Sequence, residues 1–235
     1  MKILAFDGTA KAASVALLED GKILASYTVD NGLTQSELLL PMAESVLKSL
    51  KLEFSDVDVF ATSVGPGSFT GVRIGVSLIK GLAFGRKAPC VAVSTLEALA
   101  ENLVPLSGIL VPCMDARRNQ VYTATFRCDG EKAERLTPDR AISLDDLAKE
   151  LLEYSEPIYL SGDGYKVAKA ALEGVGVKIS ETPPILINEN AESVARVAMR
   201  KYEAGEFVSD EELSPTYLRL PQAERERLER QAEKA

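Results

Sequence analysis

Residues 63–75 have the sequence Ser63-Val-Gly-Pro-Gly-Ser-Phe-Thr-Gly-Val-Arg-Ile-Gly75, which joins a predicted buried strand to a predicted helix. The strand covers residues 57–64, which are mostly apolar and β-branched, as in strands covered on both faces. The first two glycines can adopt positive φ, and Ser68 or Thr70 can cap the helix that follows. The pattern therefore predicts a tight strand-to-helix turn that admits either a phosphate or another stretch of backbone at close range.

On either side of this turn, the hydrophobic pattern predicts two α/β lobes, each of which begins with a strand that ends in aspartate. In the first lobe we predict strands at 2–6, 14–19, 22–29, 57–64 and 88–93, and helices at 36–50, 69–84 and 95–103. In the second we predict strands at 109–114, 120–127, 132–136 and 157–161, and helices at 144–154, 165–173 and 192–204. We place the lobes at residues 1–103 and 104–221, followed by a charged tail at 222–235.

Composition limits the class of protein. No apolar run approaches the roughly 20 residues that span a membrane, and the chain turns acidic too early for a signal peptide, so we expect a cytoplasmic protein without a membrane partner. The three cysteines are far apart, which favours buried thiols over disulfides or a Cys-x-x-Cys metal site. The chain contains no histidine, which excludes Ser-His-Asp and Cys-His chemistry and any histidine-ligated metal within it.

The net charge is −8, from 27 Lys and Arg against 35 Asp and Glu. A protein that holds RNA alone is expected to offer a basic surface to the phosphates. We therefore expect a partner to supply most of any RNA contact. A plain solubility role for the acidic charge is the alternative.

The run 63–75 resembles the signature of the bacterial TsaB family, whose members take part in making threonylcarbamoyladenosine in tRNA. Weaker matches extend the resemblance over nearly the whole chain except the tail. They are Ile3-Leu-Ala-Phe-Asp-Gly-Thr9, Gln35-Ser-Glu-Leu-Leu-Leu-Pro41, Met114-Asp-Ala-Arg-Arg118 with Val121-Tyr122, and Pro215-Thr-Tyr-Leu-Arg219.

This resemblance implies a two-lobed actin-like ATPase fold, a duplicated ribonuclease H-like unit whose ancestral nucleotide site is degenerate. It implies a non-catalytic subunit that pairs with the related catalytic protein TsaD, or with itself when TsaD is absent. TsaD carries a His-x-x-x-His metal motif, so a chain without histidine is not that subunit.

The implied assembly also contains the ATPase TsaE. It transfers a threonylcarbamoyl group to the adenosine following the anticodon in tRNAs that read codons beginning with adenine. ATP is used by the complex rather than bound tightly by this chain, and tRNA is reached only through the complex.

Two predicted helices of the first lobe carry faces that can pack closely. One face of helix 36–50 is apolar, and on the next helix Gly71 and Gly75 lie one turn apart, with leucines on nearly the same face. Packing on the lobe's own sheet is one use of both faces, and pairing with another protein is the other. Because the family resemblance implies pairing through these helices, the predicted interface comprises Leu39, Met42, Ala43, Val46, Gly71, Arg73, Gly75, Leu78 and Leu82.

The resemblance also locates a vestigial nucleotide site. Asp7, Gly8 and Thr9 keep the acid, one glycine and the hydroxyl of an actin-like phosphate loop, but the second glycine is missing from the residues that follow. Asp115 opens the second loop, where arginines replace the expected glycine and hydroxyl. Gly162 and Gly164 form a Gly-x-Gly turn that can pass an adenine or merely turn the chain.

Two alternatives remain open at this point. Arg117 and Arg118 are candidates for a phosphate or RNA contact, and surface salt bridging is their other use. A stand-alone ATPase or small-molecule kinase of the same fold, with Asp7 as base and Asp115 near a metal, is the rival to a scaffold.

Overall fold

The computed structural model describes residues 1–219, and its first sheet has five strands in the order β3-β2-β1-β4-β5. The strands are β1 Lys2–Asp7, β2 Ala13–Glu19, β3 Lys22–Val29, β4 Val59–Ser63 and β5 Cys90–Val93. β1 to β3 are antiparallel neighbours, whereas β4 and β5 extend the sheet parallel to β1. β1, β2 and β4 are buried almost throughout because helices cover both faces of this sheet.

One face of the first sheet is covered by α1 Gln35–Ser49 and α2 Phe69–Ala83, whose apolar residues share a core with Leu4, Phe6 and Phe60. The cap of α2 is Ser68, whose Oγ accepts from the amide of Gly71 at 3.2 Å. Of the two candidate caps, the structure therefore uses Ser68.

The other face is covered by α6 Ala191–Glu203, whose small residues lie against Ile3 and Ala5. This helix belongs to the segment that the sequence assigns to the second lobe, yet it packs on the first sheet. The alanines of α6 allow close contact with a sheet face that is itself rich in small side chains. The chain therefore returns to the first sheet after building the second. The domain limits at residues 103 and 221 remain a prediction, and residue 221 and the predicted charged tail at 222–235 lie outside the described residues.

The second sheet has six strands and is centred on β6 Gly108–Arg117. Its other strands are β7 Gln120–Thr123, β8 Phe126–Cys128, β9 Ala133–Arg135, β10 Arg140–Ser143 and β11 Ile158–Ser161, and its helices are α4 Leu144–Leu151 and α5 Tyr165–Gly174. α3 Thr95–Asn102 comes between the sheets in the chain and packs on β6. β10 was not predicted, and it supplies the outer strand beside β7.

The strand predicted at 120–127 appears as β7 and β8, which pair with β6 in a single antiparallel register. The gap between them lies opposite Pro112, which has no N–H to donate to the ladder. If β7 and β8 are counted as one strand, and β9 and β10 as another, the order of elements in the second lobe is the same as in the first. Each lobe has three antiparallel strands, a helix, a strand parallel to the first, and another helix. This repetition confirms the duplicated, actin-like fold.

The glycine face of α2 packs inside the lobe. A Cβ on Gly71 would overlap the carbonyl oxygen of Gly8, and one on Gly75 would lie 2.9 Å from Oγ1 of Thr62 on β4. The expectation that these two glycines admit a partner helix is therefore wrong, because the Gly8 carbonyl occupies that space at Gly71 and the Thr62 hydroxyl occupies it at Gly75. No helix among residues 1–219 is long and apolar enough to cross a bilayer.

We predict opposite effects from two glycine-to-alanine changes on α2. Gly71→Ala should destabilise the chain by about 2 kcal/mol or more, because its methyl group meets the Gly8 carbonyl. Gly81 is exposed with nothing within 4 Å of an added Cβ, so Gly81→Ala should stabilise the chain by about 0.5–1 kcal/mol. Urea unfolding measures the change in the free energy of unfolding for both variants. Equal changes would show that α2 is not in close contact with Gly8.

Candidate functional site

The turn between β4 and α2 packs its glycines against other backbone. A Cβ on Gly65 would lie 2.7 Å from the carbonyl oxygen of Thr216, and one on Gly67 would lie 2.6 Å from that of Thr9. The amide of Ser68 donates to the Thr9 carbonyl at 2.7 Å. Of the two uses that the sequence allows for this turn, the structure therefore shows close packing of backbone on backbone.

Asp7, at the end of β1, is 1% exposed and fully engaged by its own lobe. Its Oδ1 accepts from the amide and the hydroxyl of Thr9 at 3.0 and 2.8 Å, and its Oδ2 accepts from the Ser63 hydroxyl at 2.5 Å. Burial raises the pKa of Asp7, and the hydrogen bonds from Ser63 and Thr9 oppose that shift. The carboxylate joins β1 to β4, and its acceptor positions are directed into the protein.

The second lobe uses its glycines in the same way. The Gly164 amide donates to the Cys113 carbonyl at 2.9 Å, and a Cβ on Gly162 would collide with that same oxygen. The amide of Asp115 donates to Oδ1 of Asp163 at 2.8 Å. The turn after β11 is therefore fixed against the end of β6, as the turn after β4 is fixed against the end of β1.

A cleft of about 680 Å³ lies between the lobes. Of the vestigial site predicted from the sequence, Thr9 and Asp115 line this cleft, whereas Asp7, Gly8 and the two glycines of the second lobe do not. Lys11 and Asp163 also line it, and neither was predicted. The structure thus places part of the predicted set in the cleft, whereas Asp7 is buried in the core of the first lobe.

Glu189 is a buried acid near the ends of β1 and β11 that sequence reasoning missed. It is 6% exposed, and its Oε1 accepts from the amide of Asp163 at 3.1 Å. Burial raises its pKa to about 8, and the negative charge of Asp7 adds to the shift. A lone glutamate in a polar stretch gave no sequence signal, because its environment comes from elements far apart in the chain.

Arg117 and Arg118 lie at the tip of the β6–β7 hairpin, and both are exposed. Arg117 lines the cleft. Together with Asn119 they have φ values of 61°, 54° and 57°, in the left-handed region that costs a non-glycine residue energy. The placement of Arg117 is compatible with an anion in the cleft, and a phosphate or RNA contact remains a prediction.

The faces of α1 and α2 divide into buried and exposed parts. Leu39, Ala43 and Val46 are at most 1% exposed and Met42 is 7% exposed, so these side chains belong to the core rather than to a free surface. Arg73 is exposed, and Leu78 and Leu82 are partly exposed. Sequence periodicity marks the apolar face of α1 but cannot tell a covered face from a free one.

Four partly exposed apolar side chains on these two helices pack against this core, and we call them the helix-pair face: Leu38 on α1 and Ile74, Leu78 and Leu82 on α2. The three α2 residues are four positions apart and therefore lie along one side of the helix. Exposed Ser77 and Gly81 lie beside them. Leu78 and Leu82 of the predicted interface belong to this set, and the interface itself remains a prediction.

Among residues 1–219, no three acidic or cysteine side chains are grouped so that they could hold a metal ion. The three thiols are buried, and burial raises the pKa of Cys90 to about 11 and that of Cys113 to about 12. The cleft itself is lined by charged side chains, among them Lys11, Asp115 and Arg117, and by backbone.

A model of the family described as TsaD, tRNA N6-adenosine threonylcarbamoyltransferase, matches residues 34–226. The chain is 34% identical to the tRNA threonylcarbamoyladenosine biosynthesis protein TsaB of Bacillus subtilis, over 98% of this chain and 100% of that protein. It is 29% identical to the TsaB protein of Escherichia coli, over 93% and 95%. A solved structure of YeaZ from Pseudomonas aeruginosa superposes with a TM-score of 0.77 at 27% identity, covering 92% of this chain and 99% of that one.

We predict that Glu189 makes folding pH-dependent. Its folded pKa of about 8 exceeds the ordinary value of 4.5, so its contribution to stability is fully present below pH 4.5 and is lost as pH rises through 8. Relative to Glu189→Gln, the free energy of unfolding of the wild-type chain should fall by roughly 2–4 kcal/mol as the pH rises from 4.5 to 8.

Urea unfolding at about pH 5 and about pH 9 measures this difference. Glu181→Gln, which changes an exposed glutamate that pairs with Lys169, is the matched control and should show little pH dependence relative to wild type. A difference between wild type and Glu189→Gln that does not change with pH would contradict the burial of a protonated acid.

Proposed function

This chain belongs to the TsaB family of tRNA threonylcarbamoyladenosine biosynthesis proteins, and we propose that it is a non-catalytic subunit that pairs with TsaD. In this proposal the chain supplies no proton donor or nucleophile to threonylcarbamoyl transfer. It stabilises the active conformation of TsaD by burying a surface of its first lobe.

One observation carries the proposal more than any other. Asp7, the residue that an actin-like ATPase would use near the phosphates, is buried and accepts three hydrogen bonds from Ser63 and Thr9. The turn after β4 lies against the backbone of Thr9, and the first turn of α2 lies against that of Gly8, so the lobe's own backbone packs closely on the loop after β1. A site organised in this way supports packing rather than phosphate chemistry.

The helix-pair face is the surface that we propose for TsaD. Its apolar side chains are only partly covered by the lobe, and Ser77 and Gly81 beside them leave room for a neighbouring helix. Arg73 is exposed on the same helix and adds a charged contact at the rim. In the absence of TsaD, the same face would pair with a second copy of the chain.

We further propose that TsaE joins this assembly in the cytoplasm, that the complex uses ATP, and that tRNA is held through the complex rather than by this chain. The net charge of −8 supports the last point, because an acidic protein repels the phosphates of RNA. Arg117, in this view, is a local exception at the cleft.

A stand-alone ATPase or small-molecule kinase is the rival function. Calorimetry with ATP and the isolated chain distinguishes the two proposals. ATP binding accompanied by turnover that a folded Asp7→Asn variant abolishes would favour the enzyme, and the scaffold proposal expects no such turnover.

We predict that this chain and TsaD from the same organism form a stable one-to-one heterodimer that replaces the homodimer. Leu78→Glu should lower the affinity of the chain for TsaD at least tenfold, because pairing would bury the charge of the glutamate in the helix-pair face. Light scattering with purified proteins, with and without ATP, measures both effects.

Leu152→Glu is the matched control, since Leu152 is 56% exposed on the second lobe and should not affect pairing. Ser77→Arg, at an exposed position on α2, tests the same face without touching the apolar core. Circular dichroism checks that each variant folds. Wild-type affinity in both α2 variants would rule out the helix-pair face, and no association of the wild-type chain would rule out the proposed function.

A further inference from the structure

Residues 213–219, which we call the strap, run from the first lobe across the mouth of the cleft to the second. The strap starts with Leu213, which is 2% exposed and packs in the core beneath α2. The Lys80 ammonium of α2 donates to the carbonyls of Glu211 and Leu213, both at 2.9 Å. The Thr216 amide then donates to the Val64 carbonyl at 2.8 Å, beside the turn after β4. The first part of the strap is therefore fixed to the first lobe.

Tyr217 fixes the middle of the strap to the start of α2. Its ring stacks on Phe69 with centroids 5.0 Å apart, and its hydroxyl accepts from Nε of Arg73 at 2.7 Å. The Arg73 guanidinium lies 3.7 Å from the centre of the Phe69 ring. These three exposed side chains thus hold one another in place at the edge of the cleft.

Arg219 connects the strap to the second lobe. Its guanidinium donates to the carbonyl of Ala116 at 3.2 Å and to Oε1 of Gln120, and it lies 5.4 Å from the centre of the Tyr122 ring. All three partners belong to the β6–β7 hairpin. A planar guanidinium with several donors suits this three-way contact, which lysine could not reproduce.

The tip of the hairpin that Arg219 contacts is a strained segment. Arg117, Arg118 and Asn119 all have positive φ, and such conformations persist only where surrounding contacts over-determine them. Two further contacts hold the hairpin from within its own lobe. The Arg117 amide donates to Asp115 at 2.7 Å, and the Leu144 amide donates to the Asn119 carbonyl at 3.1 Å. Arg219 is thus the contact that ties this strained segment to the first lobe through the strap.

Elsewhere the lobes meet through α3 and through the adjacent segment around Glu189, whose Oε1 accepts from the Asp163 amide. The leucines of α3 share a hydrophobic core with Leu110, Met114 and Phe126 of the second sheet, and of these residues only Met114 also lines the cleft. A rotation about α3 would change the width of the cleft while preserving this core. The strap spans the cleft itself, and so it would resist such a rotation.

We propose that the strap is a latch that holds the two lobes closed over the cleft, with Tyr217 and Arg73 as its anchor on the first lobe and Arg219 as its clasp on the second. Loss of the clasp releases the hairpin and lets the lobes move apart about α3. The latch is independent of the proposed function, because it concerns the isolated chain.

Pulsed EPR distances between spin labels at Lys48→Cys on α1 and Lys166→Cys on α5 test this latch in the full chain. Both positions are exposed, and the three native cysteines are buried and should not be labelled. We expect Arg219→Ala to give a broader distribution with longer distances. Arg127→Ala, which removes an exposed ion pair with Glu156 inside the second lobe, is the matched control and should leave the distribution unchanged.

Hydrogen exchange provides a second readout. Amides of residues 116–120 should exchange about tenfold faster in Arg219→Ala, and Tyr217→Phe, which keeps the ring but loses the acceptor for Arg73, should give a smaller increase. If Arg219→Ala does not fold, Arg219→Lys replaces it, because it keeps the charge and removes the fork. Wild-type distances together with wild-type exchange in the hairpin would overturn the latch.

Discussion

The contact between the first turn of α2 and the loop after β1 is the constraint on which the rest of this structure depends. Gly71 leaves no room for even a methyl group against the Gly8 carbonyl, and the Ser68 amide bonds to the Thr9 carbonyl. This contact places α2 on the sheet, which in turn directs Leu78 and Leu82 outward.

In both lobes a glycine turn packs against the backbone at the end of the first strand. In the second lobe, Gly162 and Gly164 lie against the Cys113 carbonyl, as the glycines of the first lobe lie against Gly8 and Thr9. In this duplicated fold, the loop that follows β1 and the end of β6 are each held by the glycine turn of the same lobe. In the proposed function, the surface that contacts another protein is the helix-pair face, which lies outside these backbone contacts.

Most of the secondary structure, and the repetition of the lobes, could be predicted from the sequence because hydrophobic periodicity is local. The predicted helix at 36–50 and the observed α1 differ by one residue at each end. The break between β7 and β8 could also have been found, since it follows from Pro112 in the opposite strand. Other features depend on which elements meet. Periodicity cannot tell that Leu39 and Gly75 face their own sheet, that α6 returns to the first lobe, or that Glu189 lies near Asp7.

The central claim is that the cleft is not a catalytic site, and Asp115→Asn tests it most directly. Asp115 lines the cleft and is exposed, and asparagine keeps an oxygen for the Arg117 amide, so the change should not disturb the fold. The measurement is the rate of threonylcarbamoyl transfer to tRNA by TsaD and TsaE with saturating wild-type or variant chain. The account predicts equal rates, and a tenfold loss with the complex intact would contradict it.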